Sequence, residues 1–593
     1  MSSSAPEAKA LALLQAGRLE EAEAAWRAIL AERPDDADAL HFLGCVLARA
    51  GRTQDGLDLI DRSLRQAPRN PAFLNNRARV LADAGRLEEA VADLRRAVQG
   101  DPRFAAAFLH LGTLLGRLGR GEEALAALRR AAALDPGQPG AHAALGRLLF
   151  GARDFAGARA CFERALALLP GDPDLLNNLG LALQAEGAMD AALARYREAL
   201  GRRPRFPEAL LNLGNALRET GDLAAAGEMY RKALAERPDF VEALVNAASA
   251  AADVGDLGAA RSLFERALAI APGSADARYG LGVVALRERR WAEGWDGYER
   301  RFATRPPQAS WRELPLASLA PGDLDRVRRV AVWSEQGIGD QILFATLLPE
   351  LARRGIGAVV EVDPRLREAF RRSLPGMDFV GKPAPDSAFA GCDAQLPLGS
   401  LPALFRRGAD DFARQPRALL EPDRARVDEM RSRLGPGRWI GIAWRSLQKG
   451  ERRAMAERKS IPLEAFGAFS RAPGVRLLDL QYGDVGEERA RFHARYPGLL
   501  TRLEGLDPWS DLEGMLAAIA ACERVVTSSN VTAHLAGAIG APATVVFLHG
   551  WPPFHYWVPD EAGRSPWYPS VEVAGERSWA SWDEALGALA ARL

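Results

Sequence analysis

Cysteine is scarce in this chain of 593 residues: Cys45, Cys161, Cys392 and Cys522 lie far apart and form no CxxC pair. That spacing argues against both a disulfide framework and a zinc site, and predicts buried fillers. Net charge is missing too, since 77 basic residues balance 77 acidic ones. With no long-range field, the chain is not expected to gather nucleic acid or an anionic membrane, and any anion site must be local. No stretch approaches the ~20 apolar residues that a membrane span needs. The opening MSSSAPEAKALALLQAGRLEEAE is acidic and amphipathic instead of basic and then apolar, which predicts a soluble, unsecreted, cytoplasmic protein.

What is present is length and a repeat. A chain of this size exceeds what one hydrophobic core sustains, so two or more domains are expected. Pro34, Pro68, Pro102, Pro136, Pro170, Pro204, Pro238 and Pro272 recur every 34 residues, a period that belongs to helix pairs. In the same register Gly44, Gly112, Gly146, Gly180, Gly214 and Gly282 fall within the first helix, where a missing side chain lets a neighbouring helix approach. Turn glycines follow at Gly51, Gly85, Gly119, Gly187, Gly221 and Gly255. Small residues return in the second helix at Ala22, Ala90, Ala124, Ala158, Ala192, Ala226 and Ala260. The pattern resembles the tetratricopeptide repeat (TPR) consensus, and roughly eight repeats are expected to stack as an α solenoid, a superhelix over 1–304.

In such repeats the position two before the helix glycine points into the concave groove. Here it holds Asn76, His110, Asn178, Asn212 and Asn246, with breaks at Phe42, Ala144 and Gly280. A primary amide both donates and accepts, so a row of them can hold an extended peptide backbone without reading its side chains. The plainer alternative is that these residues fill a solvated face. The row resembles that of the protein O-N-acetylglucosaminyltransferase, which implies a protein acceptor.

After WAEGWDGYERRF the period stops, and a Pro- and Ser-rich segment over 305–326 is expected to be a linker. Short apolar or β-branched runs then alternate with helices: VRRVAVWS, GAVVEVD, WIGIAWRS, VRLLDLQY, RVVTSS and ATVVFL. This grammar predicts α/β structure with a mostly parallel sheet. The charged stretch 421–438 divides it into lobes over 327–436 and 437–575, and 576–593 closes the chain as an amphipathic helix. Ligands of such folds bind beyond the carboxyl ends of the strands.

The motifs sit at those ends. After the first run comes SEQGIGD, in which Gly337 and Gly339 are expected to let the backbone turn sharply and Asp340 to face the cleft. A dinucleotide fingerprint would need a third glycine where Ile342 stands. Asp340 suits an N-cap, and a carboxylate there can also act as general base toward a hydroxyl. In the second lobe Arg445 and Ser446 follow a strand, and the polar loop after them holds Lys449, Arg458 and Lys459. Only five of the chain's 77 basic residues are lysine, and two fall in this loop, where a phosphate can sit. A solvated charged loop is the alternative. In VVTSSNVTAHLAGAIG a strand ends at Thr527 and a helix starts near Asn530, so Ser528, Ser529 and the following amides suit an anionic leaving group. His534, within the first turn or two, is either a ligand contact or a packing residue.

Together GIGD, GIAWRS with RKSIPLEAF, LQYGD and SSNVTAHLAGAIG resemble the lipopolysaccharide heptosyltransferase family and its TPR-fused relatives, over about 328–593. The resemblance implies a GT-B-like module of two Rossmann-like lobes, with Asp340 as base, Lys459 near a phosphate and His534 at a helix start. Gly337, Gly339, Arg445, Ser446, Lys449, Tyr482, Ser528, Ser529 and Asn530 are the further donor-binding candidates, read from the motifs themselves. One departure is Ser529-Asn530, where the family usually has Asp-Thr or Asp-Ser. The whole architecture looks most like the bacterial flagellin glycosyltransferases. That implies transfer of a nonulosonic acid from a nucleotide sugar, such as a CMP-nonulosonic acid, with no metal or other cofactor. The implied acceptor is Ser or Thr of flagellin or its chaperone complex. Two alternatives stay open: a non-catalytic TPR adaptor with a degenerate nucleotide-binding module, and a glycan-directed heptosyltransferase-like enzyme that would turn over without 1–304.

Overall fold

In a computed structural model, which describes residues 5–446, 459–548, 554–575 and 579–593, the 34-residue period becomes helices. Among the described residues there are eighteen, from Ala5–Gln15 to Trp291–Tyr298, paired as nine repeats. The ninth pair is the one beyond the expected eight. Its register proline, Pro306, is hidden in the Arg305-Pro306-Pro307 run. Each of the other eight stands two residues past the end of a second helix, where a residue without a backbone N–H and with a fixed φ stops propagation.

The helix glycines are needed for space. A Cβ on Gly112 would lie 2.6 Å from the Leu128 side chain, on Gly146 2.7 Å from the Phe162 ring, and on Gly282 2.7 Å from the Gly297 backbone. The turn glycines are needed for conformation, with φ between +75° at Gly119 and +89° at Gly221. Where the register lacks a glycine, Arg153 and Arg289 adopt the same left-handed backbone, with φ of 65° and 60°.

The chain divides into two compact units, Met1–Ala216 and Leu217–Leu593. The first is all helical. The second holds the remaining repeat helices and two parallel sheets. One sheet contains β1 (Ala317–Ser318), β2 (Arg329–Trp333), β3 (Gly357–Val362), β4 (Asp378–Gly381) and β5 (Ala394–Pro397), in the order β1-β5-β2-β3-β4. The other contains β6 (Arg438–Ala443), β7 (Val475–Asp479), β8 (Leu500–Thr501), β9 (Arg524–Thr527), β10 (Ala543–Val546) and β11 (Val571–Ala574), in the order β11-β10-β9-β6-β7-β8. All pairings between named strands are parallel, and their near-continuous apolar runs are buried as parallel strands covered on both faces must be.

Within 305–326 the two residues of β1 add an edge strand to the first sheet, and Gln395 Nε2 donates to the carbonyls of Leu314 (3.2 Å) and Leu316 (2.8 Å). The last repeat helix is buried in the α/β core. Trp291 lies 4.7 Å from Phe412, and Trp295 packs edge-on against Trp567 at 6.0 Å and Phe344 at 6.3 Å between ring centroids. The helix Trp582–Ala590, capped by Ser581, closes over the second sheet through Ala585, Leu586 and Leu589. Among the described residues no helix is long and apolar enough to cross a membrane.

Candidate functional site

Strand β2 is an apolar run that must be buried, and its exit loop delivers the helix Ile338–Ala345. The N-cap of that helix is Gly337, so Asp340 is the third helical residue and not the cap. A carboxylate in the first turn is favoured by the positive end of the helix dipole. Neither glycine has a positive φ. The requirement at Gly339 is space instead: a Cβ there would lie 2.9 Å from His534 Cδ2 and 3.2 Å from Nε2. A histidine from the helix after β9 therefore rests on the backbone of the helix after β2.

The SSN segment is largely committed to holding its own loop. Asn530 caps the helix Val531–Ala538, its Oδ1 accepting from the Ala533 N–H at 3.4 Å and the Thr527 hydroxyl at 3.1 Å. Its Nδ2 donates at 3.4 Å to the carbonyls of Ala443, which ends β6, and Arg445 just past it, and to the Ser528 hydroxyl. The Ser529 hydroxyl accepts from the Trp557 indole at 3.1 Å. What this segment offers an anion is therefore its backbone amides and Thr532, whose buried hydroxyl has no hydrogen-bond partner among the described residues.

His534 is buried among Tyr556, Trp557 and Tyr568, with Nδ1 3.1 Å from the Tyr568 hydroxyl. Burial pushes its imidazole down to about 3, so the ring is neutral near neutrality. Three tyrosines surround the same place. Burial first, with the Asp340 carboxylate adding to it, holds the phenols of Tyr298, Tyr556 and Tyr568 well above their ordinary value. Tyr298 belongs to the last repeat, so the repeats themselves line the surroundings of Asp340.

Other candidates lie around this centre. Arg445 pairs with Glu488, and the Ser446 N–H donates to the Ser460 hydroxyl at 3.3 Å. Lys459 Nζ sits 3.6 Å from the Phe554 ring centre, and Phe554 stacks on Tyr556 at 5.3 Å. Tyr482 neighbours Trp509 at 5.9 Å; Trp509 is 59 % exposed, and Arg365, which follows β3, lies over its ring at 5.0 Å. Lys449 and Arg458 lie outside the described residues.

Further contributors lie outside the candidate set. Gln481 accepts from the backbone N–H groups of Trp444 (2.8 Å) and Arg445 (2.7 Å), joining the ends of β6 and β7. Lys382 donates to the Ser334 carbonyl at 2.6 Å. Gln481 is marked only by its place in LQYGD, and Lys382 and the tyrosines have no local signal, because only the fold brings them together.

The groove row is half-buried, and part of its hydrogen bonding runs between repeats. Asn76 Nδ2 is 3.0 Å from His41 Nε2, His110 Nδ1 is 2.8 Å from Asn75 Oδ1, and Asn212 Nδ2 donates to Asn177 Oδ1 at 2.9 Å, each across 35 residues. Asn178 and Asn246 are half-buried as well.

The comparisons with known proteins divide in the same way. Two models described as tetratricopeptide repeat match the chain, one over residues 7–71, 75–139, 185–239 and 245–310 and the other over 117–179. The amino-terminal half is thus an all-helical array of TPR repeats. The chain is similar to Protein FlbA of Caulobacter vibrioides (strain ATCC 19089 / CIP 103742 / CB 15), with 30% identity over 335 residues, 53% of this chain and 54% of FlbA. It spans about half the length of that curated relative. Among solved structures, the APC/C hetero-tetramer Cut9-Hcn1 is matched at 22% identity and a TM-score of 0.38, over 48% of this chain and 56% of that one. A tetratricopeptide repeat protein from Parabacteroides merdae ATCC 43184 is matched at 16% identity and a TM-score of 0.37, over 42% of this chain and 98% of that one.

Proposed function

We propose that this chain is an inverting protein O-glycosyltransferase of the GT-B kind, which moves a sugar from a nucleotide sugar to Ser or Thr of a protein held by its repeats. The observation that carries this assignment is the contact between Gly339 and His534. Through it the loops after β2 and β9, which hold the GIGD and SSNVTAH motifs, come together with Asp340 beside them.

In the proposed reaction Asp340 takes the proton of the acceptor hydroxyl. The oxygen then attacks the anomeric carbon as the bond from that carbon to the donor's phosphate oxygen breaks. Charge growing on the leaving phosphate is met by Arg445, Lys459 and the amides that open Val531–Ala538, a preorganised arrangement of the kind that lowers barriers most. His534 supplies no charge, since burial keeps it neutral; it shapes the site by packing on Gly339. The donor in this scheme is a CMP-nonulosonic acid, the acceptor is flagellin or its chaperone complex, and the setting is the cytoplasm.

The test is transfer by the full-length protein from a CMP-nonulosonic acid to a co-purifying acceptor, read by mass spectrometry. Asp340→Asn should lower the rate by ~10² to 10⁴ while acceptor binding persists. Unchanged transfer would remove the base assignment. A second scheme, a nucleotide-binding adaptor without turnover, draws support from the internal commitment of Ser528, Ser529 and Asn530. It predicts that CMP binds the wild-type protein with no sugar moved to any acceptor.

A further inference from the structure

The last repeat does more than adjoin the α/β core. Arg301, in the turn Glu299–Phe302 that ends it, is 0 % exposed, and one arm of its guanidinium reaches into that core. Nη2 donates to Glu335 Oε1 at 3.0 Å and to the Ser400 hydroxyl at 2.8 Å, and Nη1 donates to Glu299 Oε1 at 2.7 Å. The same Glu335 oxygen accepts the Gly399 N–H at 3.1 Å. One residue further along, Gln336 Nε2 donates to the Tyr298 hydroxyl at 2.6 Å. Two consecutive residues of the loop that leads to Gly337 and Asp340 are therefore tied to side chains of the repeat array. The Arg301–Glu335 pair is buried on both sides and resists displacement, because moving either group leaves a charge without its partner in a dry interior.

We infer that Arg301 and Tyr298 are positioning residues for Asp340: through Glu335 and Gln336 they set the loop that presents the carboxylate, so the last repeat is part of the active site. This rests on the assignment of Asp340 as base. Neither residue touches the reacting atoms in this scheme. Their effect passes through the loop, and a displacement of about 1 Å at such a site is worth ~10²-fold in rate.

The test uses full-length Arg301→Met, Glu335→Gln, the double variant R301M/E335Q, and Tyr298→Phe. The double variant matters because Arg301→Met alone leaves Glu335 buried without its counter-charge. Two quantities are read: amide hydrogen exchange of the segment 334–340, which needs no donor, and kcat and KM for transfer from the same CMP-nonulosonic acid. The expected result is faster exchange in 334–340, with the helices of Met1–Ala216 unchanged. kcat should fall by ~10²-fold in R301M and E335Q and ~10-fold in Y298F, with KM within about twofold. Because the pair acts as one device, the double variant should lose no more than either single one.

Exchange and kcat at wild-type values in Tyr298→Phe and in the double variant overturn the inference, as do losses that multiply. Should Arg301→Met fail to fold, Tyr298→Phe and the double variant carry the test. Failure of the parent assignment looks different: Asp340→Asn then transfers normally, whatever the exchange of 334–340 shows.

Discussion

A histidine kept from water reports its surroundings through pH. Burial pushes His41 down to about 4, and His534 and His555 to about 3, with Arg287 adding to the effect at His555. An unfolded histidine protonates near 6.5, well above these folded values. The unfolded chain therefore takes up protons first, and stability is lost as pH falls from about 6.5 toward the folded values. Each histidine contributes about 1.4 kcal/mol per pH unit across that window. His41→Gln should flatten the pH dependence of urea unfolding of the first unit by about that slope; an unaltered slope would contradict its burial. By NMR, the imidazoles of His534 and His555 should not titrate between about pH 5.5 and 8.

At the scale of the element, the repeat turns and helix crossings make opposite demands. Arg153 holds a left-handed backbone at φ 65° where its sister turns have glycine, an arrangement that costs roughly 1–2 kcal/mol for an L-residue. Arg153→Gly should raise the melting temperature of the first unit, with a gain of about 1 kcal/mol after the added entropy of the unfolded chain is offset. Gly297 is the contrary case. A Cβ there would stand 2.6 Å from Gly282 Cα and 2.8 Å from the Arg278 carbonyl, both backbone atoms that cannot swing aside. Gly297→Ala should cost about 1–3 kcal/mol by forcing the ninth helix pair apart. Calorimetry of the two variants checks both signs.

At the scale of the whole molecule, the division into units decides where the chain can be cut. Trp291, Trp295 and Tyr298 are buried in the same core as the first sheet. Each aromatic buries some 150–250 Å², on the order of 4 kcal/mol of apolar transfer, and three of them rival the total stability of a typical domain. A fragment 222–593, beginning at the N-cap of Leu223–Glu236, should unfold cooperatively. A fragment 305–593 should aggregate or melt far lower, since it also strips Glu335 of Arg301. Loss of turnover after deletion of 1–304 would therefore not by itself prove a need for protein capture. Equal stability of the two fragments by circular dichroism would contradict this account.

Much of this architecture is legible from local pattern. The 34-residue prolines, the turn glycines and the six apolar runs correspond to helix ends, left-handed turns and β2, β3, β6, β7, β9 and β10. The remaining strands do not stand out as β-branched or apolar runs: β1 and β8 have two residues each, β4, β5 and β11 carry Asp, Gln or Glu within them, and β1 lies in a Pro- and Ser-rich stretch. The order GIGD and the helix start after Thr527 are likewise visible, because caps and strand ends are local chemistry. That Asp340 stands beside Tyr298, Tyr556 and Tyr568 is not visible, and neither is the role of Gly339 as the seat of His534. Sequence alone determined the elements and their succession, since period and turn chemistry act over a few residues. Only tertiary packing decided which side chains meet, since a buried Arg301 or His534 takes its meaning from partners tens to hundreds of residues away that burial forces it to find.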